Sequence, residues 1–206
     1  SDVCSSDLWK MNWWIIILVI LAAFILYFAD KASLFTPVKI IRKKYPKLQI
    51  VYTTAVGAYK DAYKSNSLVE SYLKEKTGKD YTMEPCIGLY YDNPKETKEE
   101  ECRAVVGKIV DDNVKVDEDP SRKIGVTEIE ITDSVTIEFP FKSVLSIIPS
   151  IMRAYPATAK YMKENNLEQS AAPIEFYGYP NGKLTFVTPL GKYDGILTTF
   201  PKLKSE

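Results

Sequence analysis

The sequence contains no histidine. That absence excludes serine–histidine and cysteine–histidine nucleophiles, histidine-ligated zinc and histidine-ligated haem. Any catalysis would fall to Glu, Asp, Tyr, Lys or Cys. Cysteine is scarce: Cys4, Cys86 and Cys102 stand alone, at spacings that match no metal-ligand pattern. Neither Cys86 nor Cys102 sits in a basic cluster that would depress a thiol pKa, so both read as reduced, structural residues. Net charge is missing too. Lys+Arg and Asp+Glu each number 27, which gives no global attraction to nucleic acid. No metal and no cofactor is expected, and together these absences weigh against an enzyme.

The chain does carry an unbroken apolar run, Trp13 to Ala29, which reads WWIIILVILAAFILYFA and is closed by Asp30. At about 1.5 Å per residue it makes a helix of roughly 25 Å, short for a hydrocarbon core of about 30 Å and better suited to the thinner endoplasmic reticulum membrane. Trp13, Trp14 and Tyr27 stand at its ends, where amphipathic rings prefer the headgroup zone. Lys31, Lys39, Arg42, Lys43, Lys44 and Lys47 follow it, whereas only Lys10 precedes it. This asymmetry predicts a single-pass anchor with a lumenal N-terminus and a cytosolic remainder. Lys31, Arg42, Lys43 and Lys44 then form a collar against the headgroups. Two other readings compete. A secretory signal wants a shorter run with its basic flank in front, and a buried core helix wants some polar residues on one face. Residues 1–10 show no periodicity and precede Met11, so they read as a non-native leader.

Beyond the collar the pattern alternates between sheet and helix. Strands are expected at Leu48–Val56, Cys86–Tyr91, Cys102–Val110, Ile174–Tyr179 and Lys183–Thr188, from their β-branched and aromatic content. Ile124–Ile131 and Val135–Phe139 flank Thr132-Asp133-Ser134 and read as a hairpin. Ala58–Lys76 reads as a helix stopped by Gly78. Ser143–Asn166 reads as helical but interrupted by Pro149 and Pro156, with Pro156 opening a second piece. The acidic runs KETKEEE and DDNVKVDED read as solvated loops.

Set side by side, the segments from Leu48 to Val110 and from Val135 to Thr188 follow one plan: strand, helix, strand, turn, strand. The expected class is α+β, a transmembrane helix followed by a duplicated βαββ domain with a cleft between the repeats. Two chance runs of the same order are the alternative. The chain thus divides into a leader (1–10), a transmembrane helix (11–30), a basic linker (31–47), one domain (48–190) and a C-terminal tail (191–206).

Five motifs carry a resemblance: YYDNP at Tyr90–Pro94, ECRAVVGKIV at Glu101–Val110, EFPFKSVLSI at Glu138–Ile147, YPATAKYMKENNL at Tyr155–Leu167 and PIEFYGYPNGKLTFVTPL at Pro173–Leu190. With the duplicated βαββ plan they resemble the gyrase-inhibitor-like fold, shared with SOUL proteins and with drug-sensing domains of bacterial regulators. More narrowly, the chain resembles the testis-expressed ER-phagy receptor family, which hangs such a domain on one membrane helix. The resemblance implies a cleft glutamate on the penultimate strand that meets cationic ligands. The matching position is Glu175, in the apolar strand PIEFY. Tyr90, Tyr91 and Tyr177 are candidates for the aromatic walls of the same cleft. The residues themselves leave a plainer option: a structural Glu facing solvent or bonded to Tyr, with tyrosines at core edges.

In that receptor family the autophagy role rests on a long disordered tail with an acidic aromatic-x-x-aliphatic motif, which adds a strand to a ubiquitin-like partner. Residues 191–206 offer only Tyr193-Asp194-Gly195-Ile196, thinly flanked by acids. The expected function is a membrane-anchored, non-enzymatic binding or adaptor protein, resembling a reticulophagy receptor without its long tail. The alternatives are a membrane-tethered sensor that uses the cleft glutamate and, less favoured, a small hydrolase. The partners implied are the lipid bilayer and either an autophagy protein or a small hydrophobic or cationic ligand, with no nucleic acid.

Overall fold

The computed structural model describes residues 13–193 and 195–203. The expected leader, Met11 and Cys4 lie outside the described residues, as do Asp194 and the last three positions. Helix α1 (Trp13–Lys31) contains no buried residue. Among the described residues it is the one helix long and apolar enough to cross a membrane.

The remainder is built on eight strands: β1 (Ile40–Arg42), β2 (Tyr45–Val56), β3 (Cys86–Tyr90), β4 (Arg103–Val110), β5 (Gly125–Ile131), β6 (Ser134–Pro140), β7 (Ile174–Tyr177) and β8 (Lys183–Pro189). A short helix α2 (Tyr59–Ala62) precedes α3 (Asn66–Thr77), and α4 (Ile147–Glu164) joins β6 to β7. The strands form one antiparallel sheet in the order β1-β6-β8-β7-β3-β4-β2-β5. Outward from the central β7/β3 seam the order runs β7-β8-β6 on one side and β3-β4-β2 on the other. Each half is therefore a strand–helix–strand–strand unit, and the two units mirror each other about the seam.

The hairpin expected across Thr132-Asp133-Ser134 does not form. β5 pairs with β2, and β6 pairs with β1 and β8. The local turn signal is real, but the two strands continue past each other as one long arm. A second arm, β1 followed by β2, runs antiparallel to it: Arg42 pairs with Val135 and Tyr45 with Ile131, and Lys43 N–H donates to the Ser134 carbonyl between them. Pro46, which cannot donate to a ladder, sits where the β2–β5 register shifts. These arms tie the two ends of the sheet together and curl it. The curl brings the Tyr45 and Phe176 rings to 5.4 Å, although β2 and β7 would lie about 14 Å apart on a flat sheet.

The stretch expected as a basic linker therefore contains an edge strand and the start of β2. The expected tail is also packed. Ile196 and Leu197 are buried with Ala171, Ala172, Ile174 and Phe176 inside the curl, and the Tyr193 hydroxyl bonds to Asp133.

The helices cover the outer face. On α3, Val69, Tyr72 and Leu73 repeat at helical spacing and pack on Val51 and Val110; the helix ends at Gly78, whose φ of 74° suits a residue without Cβ. On α4, Ile147, Ile151, Ala154 and Tyr155 pack on Ile137, Phe139, Leu184 and Phe186. The expected break at Pro156 is absent, and α4 runs through it as one helix. An internal proline costs about 3 kcal/mol. Burial at about 1.5–3 kcal/mol per large apolar side chain along this face offsets that, and the carbonyl freed by the ring belongs to Met152, an exposed residue. Pro149 lies in the opening turn, where its missing N–H is no loss.

Candidate functional site

Alternation along β7 decides which side chains face the helices. Ile174 and Phe176 point into the curl, while Glu175 and Tyr177 point to the outer face at the seam. Opposite Glu175 in the ladder is Gly88 of β3. A Cβ there would lie 2.9 Å from the Tyr90 hydroxyl, so the bare glycine lets the Tyr90 ring lie flat on the sheet and reach the seam. Tyr155 comes in from α4.

These residues form a single network. The Tyr155 hydroxyl donates to Glu175 Oε1 at 2.7 Å, and the Tyr177 hydroxyl donates to Oε2. The Tyr177 proton is thereby used, so Tyr90, 3.1 Å away, donates to Tyr177. Tyr59 of α2 packs edge-on against Tyr90 with ring centroids 4.8 Å apart. Glu175 is 3% exposed, and no Lys or Arg pairs with it among the described residues. Burial raises its pKa above the ordinary carboxylate value, and the bonds from Tyr177 and Tyr155 partly counter that rise. Burial and the Glu175 charge hold Tyr155 and Tyr177 well above the usual phenol range. Tyr90 is also raised, and Tyr59 is pushed up to about 12, chiefly by burial. The phenols thus stay protonated donors at neutral pH, and their rings fill the seam between α4 and α2.

Of the residues expected at the cleft, Glu175, Tyr90 and Tyr177 come together. Tyr91 does not. It follows Tyr90 in an extended segment and so faces the other way: its hydroxyl donates to the Ile196 carbonyl, and its ring meets Phe200 at 5.4 Å. Tyr155 is the member that sequence reasoning missed, although it falls on the apolar spacing of α4. In the expected membrane collar, Arg42 pairs with Asp133, and Lys43 lies 2.6 Å from Glu138, which also binds Lys183. Their charges are turned to closing the sheet. Lys44 is exposed, Lys31 lies over the Tyr27 ring at 5.6 Å, and Trp13, Trp14 and Tyr27 are exposed. Cys102 is buried, with its thiol pushed up by desolvation and nearby carboxylates, a setting that disfavours thiolate chemistry. No cluster of metal-ligating side chains occurs among the described residues.

A second charge is buried on the same outer face. Lys108 of β4 is fully buried. Its Nζ lies 2.8 Å from Glu70 of α3 and donates to the Glu84 carbonyl at 3.2 Å.

A curled antiparallel sheet of two mirrored βαββ units, with helices outside and a buried acid at the seam, defines a class of α+β binding domain. The chain belongs to the GyrI-like small molecule binding domain family, whose model matches residues 39–188. Human testis-expressed protein 264 is 30% identical over 116 residues, which are 52% of this chain and 35% of that protein; the chain thus spans about a third of this relative. Among solved structures, the EcmrR C-terminal domain superposes with a TM-score of 0.56 at 18% identity, covering 76% of this chain and 99% of that domain. A hydrolase from Listeria innocua superposes at 0.51 and 13% identity, covering 80% of this chain and 98% of its own. At such identities these two likenesses concern the fold.

Proposed function

We propose that the chain is a membrane-tethered, non-enzymatic binding module that receives a small lipophilic cation against Glu175. The observation that carries this reading is the buried carboxylate met, among the described residues, only by neutral phenols. An unpaired charge in such a place is costly. An organic cation beside Glu175 would supply the missing charge, and the faces of Tyr59, Tyr155 and Tyr177 would attract it through their π-systems, with Tyr90 as the cover. Entry requires the tyrosine rings to swing aside, so the ligand selects an opened minor state of the seam. The non-enzymatic reading rests on the same cluster: its phenols do not ionise near neutrality, and among the described residues no nucleophile adjoins the acid. The apolar α1, followed by basic residues, supports a single-pass anchor with the domain on the cytosolic side. The resemblance to the ER-phagy receptor family and the short apolar run favour the endoplasmic reticulum as the membrane.

Thermal unfolding of the full chain in lipid nanodiscs tests the reading. Tetraphenylphosphonium should raise the melting temperature, and tetraphenylborate, of the same shape and opposite charge, should not. In Glu175→Gln the difference between the two ions should vanish. Equal responses to both ions in the unaltered chain would refute the proposal.

The resemblance to the ER-phagy receptor family favours a second reading, a receptor-like adaptor with an autophagy partner. Tyr193, Ile196 and Leu197 are tied into the fold, so a ubiquitin-like partner would have to use another part of the protein. Recovery of such a partner with the full chain tests this; its absence would leave the ligand-binding reading alone.

A further inference from the structure

The end of α1 is bolted to the domain. Lys142 pairs with Asp30. Ser143 Oγ donates to the Lys31 carbonyl at 3.2 Å, and Ser33 Oγ donates to the Pro140 carbonyl at 2.9 Å. Farther along α4, Arg153 donates to the Ser33 carbonyl at 3.0 Å and to the Thr36 carbonyl. Ser33 itself is buried. The stretch from Lys142 to Arg153, which includes the first turns of α4, is thus held at both ends against the segment that leaves α1. Ten residues of helix span about 15 Å, and the headgroup zone on one side of a bilayer is roughly 5–8 Å deep. A helix pinned this close to the exit point cannot lie far from the lipid surface.

The side of α4, and of the 3-10 turn Val144–Ser146 that leads into it, turned away from the sheet is apolar where solvent exposure would favour charge. Val144, Ile148 and Met152 recur every four residues and are 73%, 63% and 71% exposed, with Leu145 beside them. Leu34 and Phe35, at the exit from α1, are exposed in the same neighbourhood. Lys31 and Lys142 flank the stripe, and the acid nearest the exit, Asp30, is already paired with Lys142.

We infer that this stripe (Leu34, Phe35, Val144, Leu145, Ile148 and Met152) lies in the headgroup–acyl boundary of the bilayer that α1 crosses. The domain is then held to the membrane at two places and does not swing on a tether. The occupant is lipid because the stripe is continuous with the exit of the apolar helix through five hydrogen-bonded or ionic links. Apolar side chains flanked by lysines are also the composition that settles at such a boundary. The inference rests on the anchoring reading of α1 given above.

The full chain in phosphatidylcholine nanodiscs that contain a diazirine-bearing phospholipid provides the test, with labelled peptides mapped after irradiation. Peptides spanning 144–152 should be labelled about fivefold or more above the peptide carrying Met83, an apolar side chain exposed elsewhere on the domain. The double variant Ile148→Glu, Met152→Glu changes only exposed positions; it should lose that labelling and keep the labelling of α1. Label in α1 with none in 144–152 would overturn this inference and leave the anchor standing. No label in α1 would instead refute the anchor. An unlabelled stripe that gives concentration-dependent chain-to-chain cross-links would assign it to a second copy and equally overturn the inference.

Discussion

Two charges are buried on the outer face of one sheet, and they are treated differently. In the first repeat, Lys108 is met by Glu70 at 2.8 Å and by backbone carbonyls. In the second, Glu175 is met only by Tyr155 and Tyr177. The first is an internally completed ion pair, and its partner Glu70 is still partly in solvent. The second has donors but, among the described residues, no counter-charge, and burial raises its pKa. A mirrored fold thus carries one polar site that is finished and one that is left incomplete, and the incomplete one sits at the seam where the repeats meet.

The largest effect that would sharpen this contrast is expected in the first repeat. Glu70→Ala leaves the Lys108 ammonium buried without its partner and should cost about 3 kcal/mol or more in chemical denaturation. Lys108→Met removes the buried charge and leaves Glu70 free to face water, so it should cost clearly less. If the two variants are equal, the pair is not what stabilises Lys108.

The next effect is a pH dependence at Glu175. Its folded pKa lies above the ordinary 4.5, so the folded state holds the proton more tightly than the unfolded chain does. The resulting stabilisation is complete below the unfolded value and is lost as pH rises through the folded one. Glu175→Gln should abolish this component, so the stability difference between the variant and the unaltered chain should shift in the variant's favour as pH rises. A pH-independent difference would mean that the carboxylate is not perturbed. By the same linkage, the affinity for a lipophilic cation should rise with pH through the folded value, because the proton competes with the ligand.

The smallest effect is geometric. Gly88→Ala would place a methyl 2.9 Å from the Tyr90 hydroxyl, at the movable end of a side chain. It should cost only about 1 kcal/mol while lifting Tyr90 off the seam. Cation binding should tighten as the site opens. Weaker binding would show that Tyr90 is a wall of the site and not its cover.

Much of the sheet was legible from β-branched, alternating segments, and the repeated plan was legible because both halves spell it in the same order. The Thr132-Asp133-Ser134 segment misled because a turn signal is local while the partners of β5 and β6 are set by closure of the whole sheet. The pairings of Arg42 and Lys43 were not legible for a related reason: their carboxylate partners, Asp133 and Glu138, are distant in sequence. At the candidate site, Glu175 came from family resemblance. Tyr91 was separable from Tyr90 by strand alternation alone, since adjacent residues face opposite ways. Tyr155 was hidden by the reading of Pro156 as a break, which obscured the continuous face that delivers it.

That continuity has a mechanical consequence. One uninterrupted rod carries Ile148 and Met152 at its head and Tyr155 farther along. With the head seated in lipid, a change in leaflet thickness or crowding tilts the rod and shifts the phenol that latches the acid. Occupancy of the seam would then follow the physical state of the leaflet as well as the concentration of whatever dissolves in it.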